Sequence, residues 1–387
     1  MPATVSTEDT VSLTPNTSAA TRGRITSVDA LRGFDMFWII GVEALVGALK
    51  RMDKGNPVIG AIATQLDHVD WVGFHFEDLI FPLFVFIVGV SIVFSLSKRT
   101  DESTRGEVML QVFRRAVVLY LFGLFTYEGI AKGFEQIRLL GVLQRIAICY
   151  FFGALAFLYL KPRQRVALCV ILLVGYWAIM TFVPVPGVGA GNFQEGKNLA
   201  NYIDREYLPL RKWDGDHDPE GLLSTLPAIA SCLLGIFAGA LLRRQDVADQ
   251  KKVQLLLGCG VASVLLGFLW GLQFPVIKKI WTSSFVLVAG GFSAILLGLF
   301  YQIIDVSKKQ WWATPFLWIG TNAIAVYMLA HCVRLGDLAT RLVGGEIQQS
   351  LERWRPGAGE LLVAFVALSM AILFCRFLYR RRLFLKV

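Results

Sequence analysis

An all-α fold threaded many times through a membrane is what this sequence predicts, and three observations predict it. Hydrophobic residues fill 55% of the 387 positions and charged residues only 17%, the proportions of a membrane protein rather than of a soluble enzyme. Apolar windows of about 20 residues, enough to cross roughly 30 Å of hydrocarbon at 1.5 Å per residue, recur along the chain. Basic clusters stand at alternate window ends, as they do where loops are held on one side of a bilayer.

Ten windows are read, at 29–49, 78–97, 113–128, 139–160, 166–184, 223–242, 253–272, 282–304, 314–335 and 359–379. Before them, the first 21 residues are rich in Ser, Thr and Ala without an apolar run. They belong to a tail at 1–24 expected to be disordered and not a signal peptide, and 25–387 is expected to form one transmembrane domain. The first window carries Arg32, Asp35 and Glu43. The second begins at Asp78 and holds Pro82 near its start, where a missing amide costs little. The third is short and meets Glu128. The fourth opens with Arg138 and the run Gly141-Val-Leu-Gln-Arg145. Pro227 stands near the start of the sixth, and the ninth carries Asn322 and His331.

Charge sets the expected orientation. With a cytoplasmic N-terminus, Lys98-Arg99 with Arg114-Arg115, Lys161 to Arg165, Arg243-Arg244 with Lys251-Lys252, Lys308-Lys309 and Arg380 to Arg382 all fall on one side. Both termini are then cytoplasmic, and the loops 50–77 and 185–222 are external. The net charge of +9 punctuates helix ends instead of covering one face with interleaved aromatics, which excludes a nucleic-acid binder. All six cysteines fall inside windows and read as buried, reduced thiols. No CxxC spacing occurs, so a structural zinc site has no support. The chain shows no internal repeat of the kind common in transporters.

Charges inside spans cost roughly 2.5–3.5 kcal/mol each at mid-membrane, so each needs a partner or a task. Arg32 and Asp35, three apart, are expected to pair on one helix face. Glu43 lies eight beyond Asp35 on nearly the same side and has no local cation. Arg145 offers a guanidinium fork to carboxylate or phosphate oxygens, or pairs with Asp78, Asp35 or Glu43. His68 has two readings: a general base or nucleophile with a reference pKa near 6.5, or a solvated loop histidine bonded to Asp67 or Asp70. His75, between Phe74 and Phe76, reads as a packing residue. The irregular spacing of His68, Asp70, His75 and Asp78 argues against a metal site, and no metal cofactor is expected. Asp218 and Glu220 lie in an acidic run suited either to a cationic amino group or to a helix cap. Asn322 could line a cofactor tunnel or bond between helices.

Several segments in order resemble the heparan-α-glucosaminide N-acetyltransferase family of transmembrane acyltransferases. They are Ser27-Val-Asp-Ala-Leu-Arg-Gly33, His68-Val-Asp-Trp-Val-Gly73, Asp78 to Gly89, Gly141 to Arg145, Asp218-Pro-Glu-Gly221 and Gly320-Thr-Asn322. The resemblance implies acetyl transfer from cytoplasmic acetyl-CoA to the amino group of a glucosamine unit across the membrane. It implies that His68 is the active-site histidine, that Arg145 lies near the coenzyme, and that Asp218 and Glu220 form the family's acidic motif. Glu43 stands where the family has a polar residue described as asparagine, a departure at that position. Asp78, Asn322 and Arg32 are also expected on the coenzyme side and Asp70 on the acceptor side. A homodimer in a bacterial inner membrane is also implied. Without the family's large lumenal domain, a small amino sugar is the expected acceptor. Two competing functions stay open: an inner-membrane transporter of sugars or amino sugars, and O-acylation of an envelope polysaccharide.

Overall fold

The computed structural model describes residues 25–52, 55–100, 104–127 and 129–384; the expected tail at 1–24 lies outside the described residues. The helices run in the order α1 (Thr26–Met52), α2 (Pro57–Gln65), α3 (Phe76–Thr100), α4 (Arg105–Thr126), α5 (Gly129–Lys132), α6 (Val142–Tyr159), α7 (Pro162–Phe182) and α8 (Leu199–Tyr207). They continue as α9 (Thr225–Arg243), α10 (Asp249–Gly271), α11 (Ser283–Phe300), α12 (Thr314–Gly320), α13 (Ala323–Val333), α14 (Leu335–Val343), α15 (Glu346–Trp354) and α16 (Ala358–Arg380). No β-sheet forms among the described residues. The protein is an all-α, polytopic membrane protein.

Eight helices are long and apolar enough to span a bilayer, namely α3, α4, α6, α7, α9, α10, α11 and α16. The pair α12 and α13, bent by 66°, makes a ninth if counted as one broken span. With α1, whose 27 residues would reach about 40 Å, the ten expected windows each find a helix. Two windows change in detail. The third begins at Arg105 because Thr104 and Glu107 form a reciprocal capping box, and that polar start disguised an otherwise apolar helix. The ninth breaks where the Thr321 hydroxyl joins its own amide on the Leu317 carbonyl, at 3.0 and 3.2 Å, a back-bond of the kind that bends helices.

Burial sorts the helices into two shells. The apolar windows of α3, α9 and α11 are 72%, 67% and 67% buried, against 22–28% for α4, α7, α10 and α16. The first set is the core, and the second presents its apolar faces outward, as lipid requires. Cys149, Cys169, Cys232 and Cys375 are buried as expected, but Cys259 and Cys332 are exposed on outer faces. The α3–α9 contact is close because both sides carry glycine: a Cβ on Gly89 would collide with the Cys232 carbonyl, and one on Gly235 with that of Phe86. The start of α1 is capped from far along the chain, by Asp305 accepting the Thr26 and Ser27 amides at 3.2 and 2.9 Å. This carboxylate replaces a local N-cap and favours the positive helix end.

Gly89→Leu is expected to lower the thermal midpoint at fixed scan rate in detergent, since overpacking costs about 1–3 kcal/mol. Gly258→Leu, where an added Cβ meets nothing within 4 Å, is expected to leave it unchanged; equal midpoints for both would refute the close-packing account.

Candidate active site

The segment between α2 and α3 folds around one carboxylate. Asp78, third in α3 and 1% exposed, accepts the backbone amides of Val69 and His75 on Oδ2 at 3.3 and 3.0 Å. Its Oδ1 lies 3.1 Å from His68 Nδ1. A proton on Nδ1 donated to Asp78 leaves the Nε2 lone pair free, the arrangement of an oriented general base. The His68 side chain is 57% exposed, so that lone pair is accessible. Neighbouring elements hold the loop: Trp71 Nε1 donates to the Phe193 carbonyl at 2.8 Å, and the Gly73 amide to that of Val276 at 2.9 Å. Gly73 has φ +136, a left-handed conformation that other residues rarely adopt.

Lys278, in the turn between α10 and α11, reaches the same place. Its Nζ lies 3.0 and 3.3 Å from the two imidazole nitrogens and 3.4 Å from Asp78 Oδ1. Burial pulls the Lys278 ammonium below the usual lysine range, against the opposing charges of Asp78 and Glu77. On the other flank, Lys50 pairs with Asp67, and that hydrogen bond holds the Asp67 carboxyl below its ordinary value. His75 Nδ1 lies 3.0 Å from the Asp67 carbonyl, so this histidine braces the loop.

His68, Val69 and Trp71 separate two hollows. One, of about 800 Å³, is an open vestibule bordered by α2, Lys50, Asp70 and His75. The other, of about 660 Å³, descends between α1, α3 and α6 to Met36, Phe84 and Ile146. Its polar lining includes Glu77, Asp78, Arg138, Glu220, Lys278 and His331. Asp70 is thus exposed in the vestibule.

The acidic run takes a different part from a set of free carboxylates. Arg138, which precedes α6, binds Asp218 through Nε and Nη2 at 2.8 and 2.6 Å and also pairs with Glu220. Its guanidinium lies 4.7 Å from the Tyr127 ring centroid and 4.9 Å from that of Trp213. Burial works against the Arg138 cation, but the Asp218 and Glu220 charges prevail and raise its pKa. Asp218 is enclosed, while Glu220 lines the inner hollow. Beneath them Asp204 accepts the Leu222 amide at 2.8 Å, and burial pushes its carboxyl up to about 6.

Arg145 pairs with neither Asp78 nor Asp35. It is fully buried, its Nη2 donates to Ser224 Oγ at 2.5 Å and to the Gly221 carbonyl at 3.3 Å, and it lies 4.9 Å from the Trp281 centroid. Arg32 does not pair with Asp35 either. It joins Asp29 at 3.1 Å, Ser91 at 2.6 Å and the Gly320 carbonyl at 3.4 Å, because helical side chains lean toward the N-terminus of their own helix. Asp35 is fully buried and neither carboxylate oxygen has a hydrogen-bond partner among the described residues. Asn322, 1% exposed, occupies the position just before α13, two residues beyond the Gly320 carbonyl that Arg32 reaches. The four expected coenzyme positions therefore occupy three places, with Asp78 at His68, Arg145 under the Gly221 turn, and Arg32 with Asn322 at the α12–α13 break. The Glu43 side chain lies outside the described residues.

Glu195, Asp214 and His217 bring three possible metal ligands together. Lys279 is already there, 2.8 Å from Glu195 and 3.2 Å from Asp214, so a cation of the chain itself answers those carboxylates. Among residues that the sequence left unassigned, Lys278, Lys279, Trp213 and Tyr127 all reach the hollow. For the two lysines a signal existed: by helix order they form a basic pair at the end opposite the other clusters.

A family model described as a domain of unknown function, DUF5009, matches residues 24–198. Human heparan-alpha-glucosaminide N-acetyltransferase is 27% identical over an alignment covering 94% of this chain, and the mouse protein of the same name 26% over 96%. The alignments cover 60% and 62% of those relatives' own lengths.

Arg138→Met is expected to destabilise the fold by about 3–5 kcal/mol, since it strands two buried carboxylates. Arg211→Met, at a half-buried position on the rim of the hollow against Trp213 with no carboxylate partner among the described residues, should do little, and similar midpoints for the two would contradict the buried network. Asp204 makes a pH prediction. A carboxyl near 6 in the fold and about 3.9 when unfolded penalises the folded state above pH 6. The penalty is relieved as pH falls from 6 toward 4, by up to about 3 kcal/mol. Stability of the protein relative to Asp204→Asn should rise over that window; a flat difference would reject the shift.

Proposed function

The chain is a relative of the heparan-alpha-glucosaminide N-acetyltransferases through almost its whole length, and from that premise we propose that it is a membrane-embedded acetyltransferase acting on a small amino sugar. In this reading acetyl-CoA is supplied at the end of the bundle bearing the basic clusters, and the acceptor arrives through the vestibule at His68. The observation that carries it is the position of His68, oriented by a buried carboxylate and standing between two hollows, in a chain most of whose length aligns with two proteins named as N-acetyltransferases.

His68 does the work of a base. An amino sugar attacks a thioester only through its neutral nitrogen, and Nε2 can take the proton lost as the C–N bond forms. Asp78 stabilises the resulting imidazolium across 3.1 Å and fixes which nitrogen reacts. Asp70 and Glu220 offer carboxylates to acceptor hydroxyls from the vestibule and the inner hollow. Arg32 and Asn322, at the α12–α13 break, are assigned to the coenzyme side in this reading. Arg145 underpins the Gly221 turn that follows Glu220, and so acts in this reading through the position of that turn.

Purified protein given acetyl-CoA and glucosamine is expected to release free thiol and form N-acetylglucosamine, with His68→Ala lowering kcat by about 10²–10⁴-fold and leaving coenzyme binding intact. Uptake of the sugar into vesicles with no thiol release would replace the enzyme with a transporter. Acetylation of a hydroxyl and not of the amine would redirect the proposal to O-acyl transfer. Undiminished turnover by His68→Ala would remove that histidine from the chemistry.

A further inference from the structure

A lysine exposed only to water needs no explanation, but Lys278 is not one. Its side chain is 22% exposed and lines the inner hollow beside His68 and Asp78. The turn that carries it is rigid. The Ile277 amide donates to Thr282 Oγ1 at 3.1 Å, and the amides of Thr282 and Trp281 donate to the Ile277 and Lys278 carbonyls at 3.1 and 2.8 Å. Ile277, Ile280 and Trp281 are buried around it. Trp281 accepts φ +50, a strained value for a bulky residue that this packing sustains.

The ammonium has three N–H bonds. Asp78 Oδ1, 3.4 Å away, lies within reach of one; His68 Nδ1 is turned to Asp78 and Nε2 is kept for the acceptor's proton, so the others are available to a ligand in the hollow. A group bonded to His68 Nε2 would come within a few ångströms of Nζ, because Nζ is itself 3.3 Å from that nitrogen. Donors fixed in advance at the place where negative charge develops are the largest single source of catalysis in acyl transfer.

We propose that Lys278 is a second catalytic residue, its ammonium donating to the carbonyl oxygen of the acyl donor as negative charge develops there. The inference rests on the acetyltransferase reading. As the amine nitrogen bonds to the carbonyl carbon, an electron pair moves onto the oxygen and is held by Lys278. Its return breaks the C–S bond and expels the thiolate. The proton lost by the amine passes to His68 Nε2 and then to the leaving sulfur, while Lys278 keeps its own protons throughout. Asp78 serves both partners, orienting the imidazole on one side and stabilising the ammonium on the other.

The test is Lys278→Cys in a Cys259→Ser, Cys332→Ser background, which removes the exposed thiols. With acetyl-CoA and glucosamine, kcat is expected to fall by about 10²–10³-fold with little change in KM for acetyl-CoA. Alkylation by 2-bromoethylamine, which rebuilds a cation of lysine length, should restore most of the rate. Iodoacetamide, which leaves a neutral side chain, should not. Lys278→Arg keeps the charge without alkylation and is expected within about tenfold of the parent, which holds the test open if the cysteine variant misfolds. An unchanged kcat in Lys278→Cys, or equal rescue by both reagents, would overturn the role of Lys278 and leave the acetyltransferase intact. No acetyl transfer by the parent protein would instead overturn the acetyltransferase, and the lysine role with it.

Discussion

The Asp78 carboxylate is the constraint on which the His68 end of this molecule depends. A charge placed inside a membrane protein is costly unless donors surround it, and here the donors are assembled by folding the chain around it. Two backbone amides, one imidazole and one ammonium converge on its two oxygens. The first turn of α3 also favours a negative group through the helix dipole. Since the amides belong to Val69 and His75, the conformation of the whole segment from His68 to His75 follows from satisfying one side chain. Lys278 then ties that segment electrostatically to the turn before α11.

A second charged centre is built on the opposite principle. Around Arg138 the Asp218 carboxylate is enclosed and the guanidinium is held against Tyr127 and Trp213, so that pair is fixed and only Glu220 meets the hollow. At His68 the carboxylate is enclosed while the imidazole stays open. Such a contrast separates rigid support from a group able to exchange protons. It also explains why the acidic run near Glu220, read alone, suggested a binding patch: a sequence shows the carboxylates and not the arginine that meets them 80 positions earlier.

The fold was largely legible because lipid imposes a minimum helix length, and ten windows of that length each found their helix. What escaped were interruptions and neutral-looking starts. Thr104 with Glu107 extends α4 through charged residues that hydropathy discounts, and Thr321 bends a stretch that periodicity reads as continuous. At the site, His68 and Asp78 were legible through their position at a span mouth. Arg138 was not, since its role arises from a contact 80 residues away, and Lys278 showed only as half of an oddly placed basic pair, its contact with His68 lying 210 residues away. The pairing of Arg32 with Asp29 instead of Asp35 turns on side-chain direction, which spacing alone leaves open because both lie three residues distant.

Glycine connects the two ends of the argument. The motifs at Gly33 and Gly320 are 287 positions apart by subtraction of their numbers, yet they are halves of one contact: a Cβ on Gly33 would enter the Phe316 carbonyl, and one on Gly320 that of Asp29. Their absence of side chain lets α1 and α12 touch backbone to backbone. That approach is what allows Arg32 to reach the Gly320 carbonyl and sets Asn322 at the break beside it. Motifs that look like separate signatures in the sequence are therefore a single structural joint with a cation at its edge. The α12–α13 break and the start of α1 must move together, if they move at all.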